Sequence, residues 1–267
     1  MSAPQLPAGV LRLVLATSGV LVWLIVALVA PWLAPYDPFL VVGEGLAAPS
    51  WRHPLGTDLI GRDLFSGIMF GARTSATIVF GVALIVVAIA ITVGLVSGYL
   101  GGIVDDILMR VAEVFQVVPR FFLAIVALAY FGSGVDRLII ILGLTSWSGL
   151  ARVVRAETLS VRESAFVEAA QLFGSGTIRT IFREILPNIA PTLAVYLTLL
   201  LSRVMLLEAS LAFIGLSDPN SISWGYLAGS SQAYLRSAWW IAVFPGLAIL
   251  MTALSLTSLG DVKGRRE

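Results

Sequence analysis

The chain has 267 residues, of which 58% are hydrophobic and only 12% charged. A soluble domain is about a quarter charged, so this balance excludes a soluble globular protein and marks an integral membrane protein. The absence of cysteine excludes disulfides, thiol catalysis and thiolate metal sites, the single histidine His53 leaves no histidine cluster for a metal, and the net charge of +1 says little until the charges are placed.

Charge-poor stretches predict the helices. The first lies between Arg12 and Asp37. It is too long for a signal-peptide core and has no small-x-small cleavage pattern before Pro31, so it reads as a retained membrane helix. A long loop follows, Tyr36 to Asp63, rich in Pro and Gly. The second predicted span runs from Thr74 to Val104, the third from Arg120 to Gly134, and the fourth between Arg137 and Arg152. The fifth follows Pro187 and reaches Leu216, and the last lies between Arg236 and Asp261. Helices are the expected form, because lipid leaves an open backbone no other partner. The runs are continuously apolar and lack the alternation of a transmembrane barrel. The fold class is therefore all-α integral membrane, with six transmembrane helices.

Lys and Arg orient the spans. With the N-terminus inside, eleven of the 17 Lys and Arg fall in inside segments, five in outside segments, and Arg203 within a span. Both termini are thus expected inside, with Lys263, Arg265 and Arg266 counted among the inside charges. Trp239 and Trp240 suit an interfacial belt.

Two charged segments stand out. Asp105 to Pro119 has an apolar stripe of Ile107, Leu108, Val111, Phe115 and Val118. Asp106 and Arg110 sit at the favourable i, i+4 spacing, and Pro119 is expected to kink or end the helix before span three. The other segment reads "FVEAAQLFGSGTIRTIFREILPN", Phe166 to Asn188, on the inside between spans four and five. Phe166, Ala169, Ala170 and Phe173 form one helical face. Gly174 is a natural stop, Thr177 a candidate cap, Ile178, Ile181, Phe182 and Ile185 repeat the spacing, and Pro187 is expected to close the second helix. Small residues between aromatic ones suit docking into a groove on another protein. An interfacial hairpin lying on headgroups would show the same spacing.

The literal residues go further. Glu168-Ala169-Ala170, then Gly174, then Leu186-Pro187 resemble the EAA loop of bacterial ABC importer permeases. Glu184 stands where that pattern usually has Ile. "HPLGTDLIGRD" (His53 to Asp63), "GARTS" (Gly71 to Ser75), "SGYLGGIVDDILMR" (Ser97 to Arg110), "LLEASLAFIGL" (Leu206 to Leu216), "SWGYL" (Ser223 to Leu227) and "FPGLAI" (Phe244 to Ile249) are similar to the C-type permease of dipeptide and oligopeptide importers. After Asp261 the chain reads "VKGRRE", where members of that family usually continue further.

The resemblance implies the type I importer permease fold: an N-terminal helix and external loop over residues 1–70, then a five-helix core over 71–267 with a coupling loop at 156–188. It implies a permease subunit in the bacterial inner membrane. The implied partners are a homologous second permease, two cytoplasmic ATP-binding subunits, an external substrate-binding protein, peptide substrate and membrane lipid, with no nucleic acid. The chain has no G-x-x-x-x-G-K-[ST] string. No cofactor is expected on it, ATP and Mg belonging to the partner subunits, and it is not expected to be an enzyme.

Three groups of site residues follow. Phe166, Val167, Glu168, Ala169, Ala170, Phe173, Gly174 and Gly176 are expected to couple to the ATPase. Asp58, Arg62, Asp63 and Trp224, in the outside loops, are candidates for the outer gate or for contact with the binding protein, or for plain loop structure with Asp58 and Arg62 as a local pair. Arg203 and Glu208 are intramembrane polar candidates. An unpaired arginine near the middle of a span costs about 2.5–3.5 kcal/mol on insertion scales, so Arg203 is expected to face protein or water. It could meet a peptide carboxylate or a structural partner, but not Glu208, since five positions apart is not a helical neighbour spacing. A same-family importer of nickel, glutathione or haem is the alternative cargo reading. A secondary transporter would need an ion site that the nearly charge-free spans lack.

Overall fold

The computed structural model describes the backbone of residues 8–264 and the side chains of residues 9–261, so Lys263, Arg265 and Arg266 lie outside the described side chains. Five helices are long and apolar enough to cross a bilayer. They are built from α1 (Ala8–Leu33), α2 (Leu64–Leu100), α5 (Val135–Arg162), α8 (Leu186–Phe213) and α10 (Trp240–Gly264). The shorter helices are α3 (Gly102–Val117), α4 (Arg120–Phe131), α6 (Ala165–Leu172), α7 (Thr177–Thr180) and α9 (Trp224–Ser230).

The third crossing differs from expectation. The 12 residues of α4 span about 18 Å at 1.5 Å per residue, short of a hydrocarbon core about 30 Å thick. Only α3 and α4 together make a sixth span, and they are bent by 80°. The break falls at Val118-Pro119, where Val118 is extended at φ −82°, ψ 125°. Proline disfavours helical geometry in the residue before it. The stripe expected on α3 also divides. Leu108 and Phe115 turn inward with the buried Asp105 and Ala112, and Phe115 meets Trp147 edge-on at 5.4 Å. Ile107, Val111 and Val118 face outward.

α2 starts ten residues earlier than the charge pattern suggests, because Asp63 caps it. The carboxylate accepts from Ser66 N–H at 2.8 Å and Ser66 Oγ–H at 2.7 Å. At the other boundary, Pro187 does not end a helix. A π turn over Ile181–Ile185 joins α7 to α8, and Thr177–Phe213 forms one helix of 37 residues. A proline in the first turn of α8 removes an N–H whose usual acceptor the wider π turn has already displaced.

The centre of the bundle is the pair α2 and α5. It is close-packed through small residues, the usual device where lipid offers no hydrophobic driving force. Gly94 and Gly98, spaced G-x-x-x-G on α2, face α5. A Cβ on Gly94 would sit 2.5 Å from Val154 Cβ, and one on Gly98 would sit 2.7 Å from Thr158 Cβ. From α5, Gly143 returns the fit against Ile85. α1 lies outside this pair, packing Trp23 against α2 with its indole N–H donating to Ala72 O at 3.3 Å. The two ends of the bundle differ: α6 and α7 form a hairpin at one, and α9 with the 34–63 loop covers the other.

Candidate functional site

The hairpin forms as its residues dictate. Gly174 adopts φ +85°. Ser175 N–H donates to Ala170 O at 3.0 Å and Gly174 N–H to Gln171 O at 2.9 Å. These two bonds are the Schellman closure of α6. The cap of the second helix is Gly176, not Thr177. Gly176 is extended at φ −72°, ψ 159°, with no side-chain cap. The Thr180 hydroxyl instead ties back to Gly176 O at 3.2 Å.

The apolar residues of the hairpin split between two jobs. Val167 and Ile185 are fully buried and hold it to the bundle. Phe166, Phe173, Ile178 and Phe182 are uncovered, with Phe173 93% exposed and Ile178 74%. Ala169 and Ala170 are half-buried between them and Glu168 is exposed. Nothing lies within 4 Å of where a Cβ on Gly174 or Gly176 would be. The second stripe splits because the π turn rotates Ile181 and Ile185 inward and leaves Ile178 and Phe182 outside.

Beside the hairpin sits an ion pair that local spacing did not reveal. Asp105 of α3 receives a bidentate fork from Arg155 of α5, Nε to Oδ1 and Nη2 to Oδ2, both at 2.5 Å. Ser97 Oγ–H of α2 donates to the same carboxylate at 2.5 Å. Two turns on, Arg162 Nη1 donates to Tyr99 O at 2.9 Å and Gly98 O at 3.2 Å. Fifty residues separate Asp105 from Arg155. Asp106 and Arg110 make no ion pair among the described residues. The hairpin thus hangs from an α5 whose end is tied to both α2 and α3.

At the opposite end the loop residues are largely structural. Asp58 Oδ1 accepts from Arg62 N–H at 2.8 Å and Ile60 N–H at 3.0 Å. Its local partner is therefore the Arg62 backbone, while the guanidinium lies 5.8 Å over the Phe39 ring. Asp63 is buried as the α2 cap and also bonds His53 Nδ1 at 2.9 Å. Trp224 is buried, its N–H donating to Ile68 O at 2.9 Å. Neither Asp63 nor Trp224 is placed to meet another protein. Of the expected tryptophan belt, Trp239 is half-exposed, whereas Trp240 is buried and donates to Thr57 O at 3.2 Å.

Inside the membrane region, Glu208 and Arg203 part company. Glu208 is 2% exposed, and its Oε1 accepts from Ser223 Oγ–H at 2.6 Å. Its Oε2 has no partner among the described residues. Arg203 lies on the exposed face of α8 and makes no hydrogen bond or ion pair among the described residues.

Membrane-length helices around a glycine-packed pair, with an uncovered aromatic hairpin tied to the centre, define an integral membrane protein. The chain belongs to the family described as binding-protein-dependent transport system inner membrane component, which matches residues 90–266. It is 35% identical to the di/tripeptide transport system permease protein DppC of Pseudomonas aeruginosa, over 92% of this chain and 85% of that protein. It is 34% identical to the dipeptide transport system permease protein DppC of Bacillus subtilis, over 92% and 79%. The nickel transport system permease protein NikC of Escherichia coli is 32% identical over 89% and 86%.

Proposed function

We propose that this chain is one of two permease subunits in an ATP-driven importer of di- and oligopeptides. Its hairpin faces the cytoplasm and docks in an ATP-binding subunit. The observation that carries the coupling role is the uncovered row of Phe166, Phe173, Ile178 and Phe182 on a hairpin held by buried Val167 and Ile185. Exposed aromatic residues around small ones fit a groove on a partner protein. The Lys and Arg bias supports the same orientation. ATP and Mg are held by the partner subunits, and an external binding protein delivers the cargo. Closure and reopening of the ATPase pair is passed through the hairpin to α5 and α8 as rigid-body rocking. The peptide relatives support the cargo. The likeness to the nickel permease supports a second, nickel cargo in the same architecture.

The test is purification of the complete assembly from native membranes, followed by uptake into vesicles. Wild type is expected to bring down a second permease and ATP-binding subunits and to accumulate dipeptide. Ala170→Trp, which enlarges the half-buried centre of the docking face, is expected to insert normally but lose ATP-driven uptake at least tenfold. Normal dipeptide uptake by Ala170→Trp refutes the coupling role. Nickel uptake without peptide uptake favours the second cargo.

A further inference from the structure

Arg203 sits ten residues before the end of α8, about 15 Å along its axis, on a face where Ser210 is also exposed. Lipid is a poor cover for that face, since a bare guanidinium there carries the insertion cost given above. Seven residues earlier, two helical turns toward the hairpin, Tyr196 shares the same face. Its hydroxyl and a second cation, from another helix, approach the same open point. A Cβ built on Gly149 of α5 would lie 2.6 Å from Tyr196 Oη and 3.4 Å from Arg120 Nη2 of α4, so both polar groups close on one point. Gly149 leaves that point open because it has no side chain. Arg120, like Arg203, has no hydrogen-bond or ion-pair partner among the described residues. Arg203 and Tyr196 thus stand about 10 Å apart along one stripe of α8, and at the lower position an unspent guanidinium, Arg120 of α4, approaches the same point as the Tyr196 hydroxyl.

We propose that Arg203 and then Arg120 with Tyr196 are successive contacts for the carboxylate groups of the cargo as it moves inward, and that they favour acidic peptides. A guanidinium presents a planar donor fork matched to a carboxylate. Two such sites in series let an anion leave the first for the second instead of being held at either. This inference rests on the peptide reading above.

The experiment uses the complete importer in vesicles, with its binding protein, and two probes with natural termini, the dipeptides Glu-Glu and Lys-Lys. The readout is the ratio of their initial uptake rates. Arg203→Gln is expected to lower the Glu-Glu to Lys-Lys ratio at least tenfold, and Arg120→Gln to lower it at least threefold. Arg203→Lys, which keeps the charge and loses the fork, is expected to hold the ratio within threefold of wild type. If Arg203→Gln does not assemble, Arg120→Gln and Arg203→Lys carry the test. An unchanged ratio in Arg120→Gln, or a ratio in Arg203→Gln equal to wild type with both peptides carried, overturns this inference alone. A wild-type importer that carries neither dipeptide overturns the peptide reading, and this inference with it.

Discussion

Replacing Gly98 by alanine adds one carbon within the close-packed α2–α5 contact. That carbon would fall 2.7 Å from Thr158 Cβ and 2.8 Å from Arg155 O. Ordinary carbon contacts begin near 3.5 Å, and one of the two obstacles is main chain, which cannot swing away. The helices must part by something under an ångström, and Arg155 moves with α5, stretching its fork to Asp105. Overpacking of this kind costs about 1–3 kcal/mol. Gly98 lies in the last turn of α2, where filling a helical glycine returns at most about 0.5–1 kcal/mol. A net loss of about 0–2.5 kcal/mol remains, worth about 2–4 °C of melting midpoint per kcal/mol at this chain length. Gly246→Ala on α10 is the control, because nothing lies within 4 Å of its added carbon, so it should hold or raise the midpoint. Tryptophan fluorescence melts of the purified assembly in nanodiscs report both. A Gly98→Ala midpoint at or above that of Gly246→Ala refutes the close-packing account.

Two further outcomes are expected. Asp63→Ala removes the α2 cap and the bond to His53, at a cost of about 1–2 kcal/mol. Limited proteolysis should then cut within residues 34–62 at least fivefold faster, and an unaltered rate contradicts the capping role. The Asp105–Arg155 pair is half open on the arginine side, with that side chain 33% exposed, so its coupling belongs with charge-assisted hydrogen bonds at about 1.5–3 kcal/mol rather than with fully buried pairs. A double-mutant cycle of Asp105→Asn and Arg155→Gln, read by chemical denaturation, should return a coupling of at least about 1 kcal/mol. A coupling near zero shows that the fork adds nothing.

What the sequence made legible was local. Long apolar runs, the i, i+3, i+4, i+7 stripe of Phe166 to Phe173 and the stop at Gly174 depend on neighbours within two turns, and each appears as expected except the third run, which forms only the 12-residue α4. Misreadings arose where a distant contact decides. Arg73 made α2 look shorter, because the buried Asp63 cap upstream leaves no trace in hydropathy. Asp106 and Arg110 had ideal spacing, yet Asp105 took the partner, since α5 brings Arg155 to its side of α3. Trp224 looked like a loop residue from its Gly- and Ser-rich surroundings, while its indole is buried against α2. Pro119 and Pro187 look alike as text. One breaks a helix by 80°, and the other rides on a π turn, because only the second has a preceding segment able to widen.

The unbroken Thr177–Phe213 helix is a lever. At 37 residues it is about 56 Å long, with one end in the hairpin and the other beside α9. Its prolines, Pro187 and Pro191, and its π turn all lie in the first half, so the stretch from Thr192 onward is uninterrupted. A tilt of about 5° about the hairpin end would sweep the far end through about 5 Å over that length, while Val167 and Ile185 scarcely move. A small pivot at one surface of the membrane would then become a displacement the width of a side chain at the other, through nothing but the stiffness of a helix.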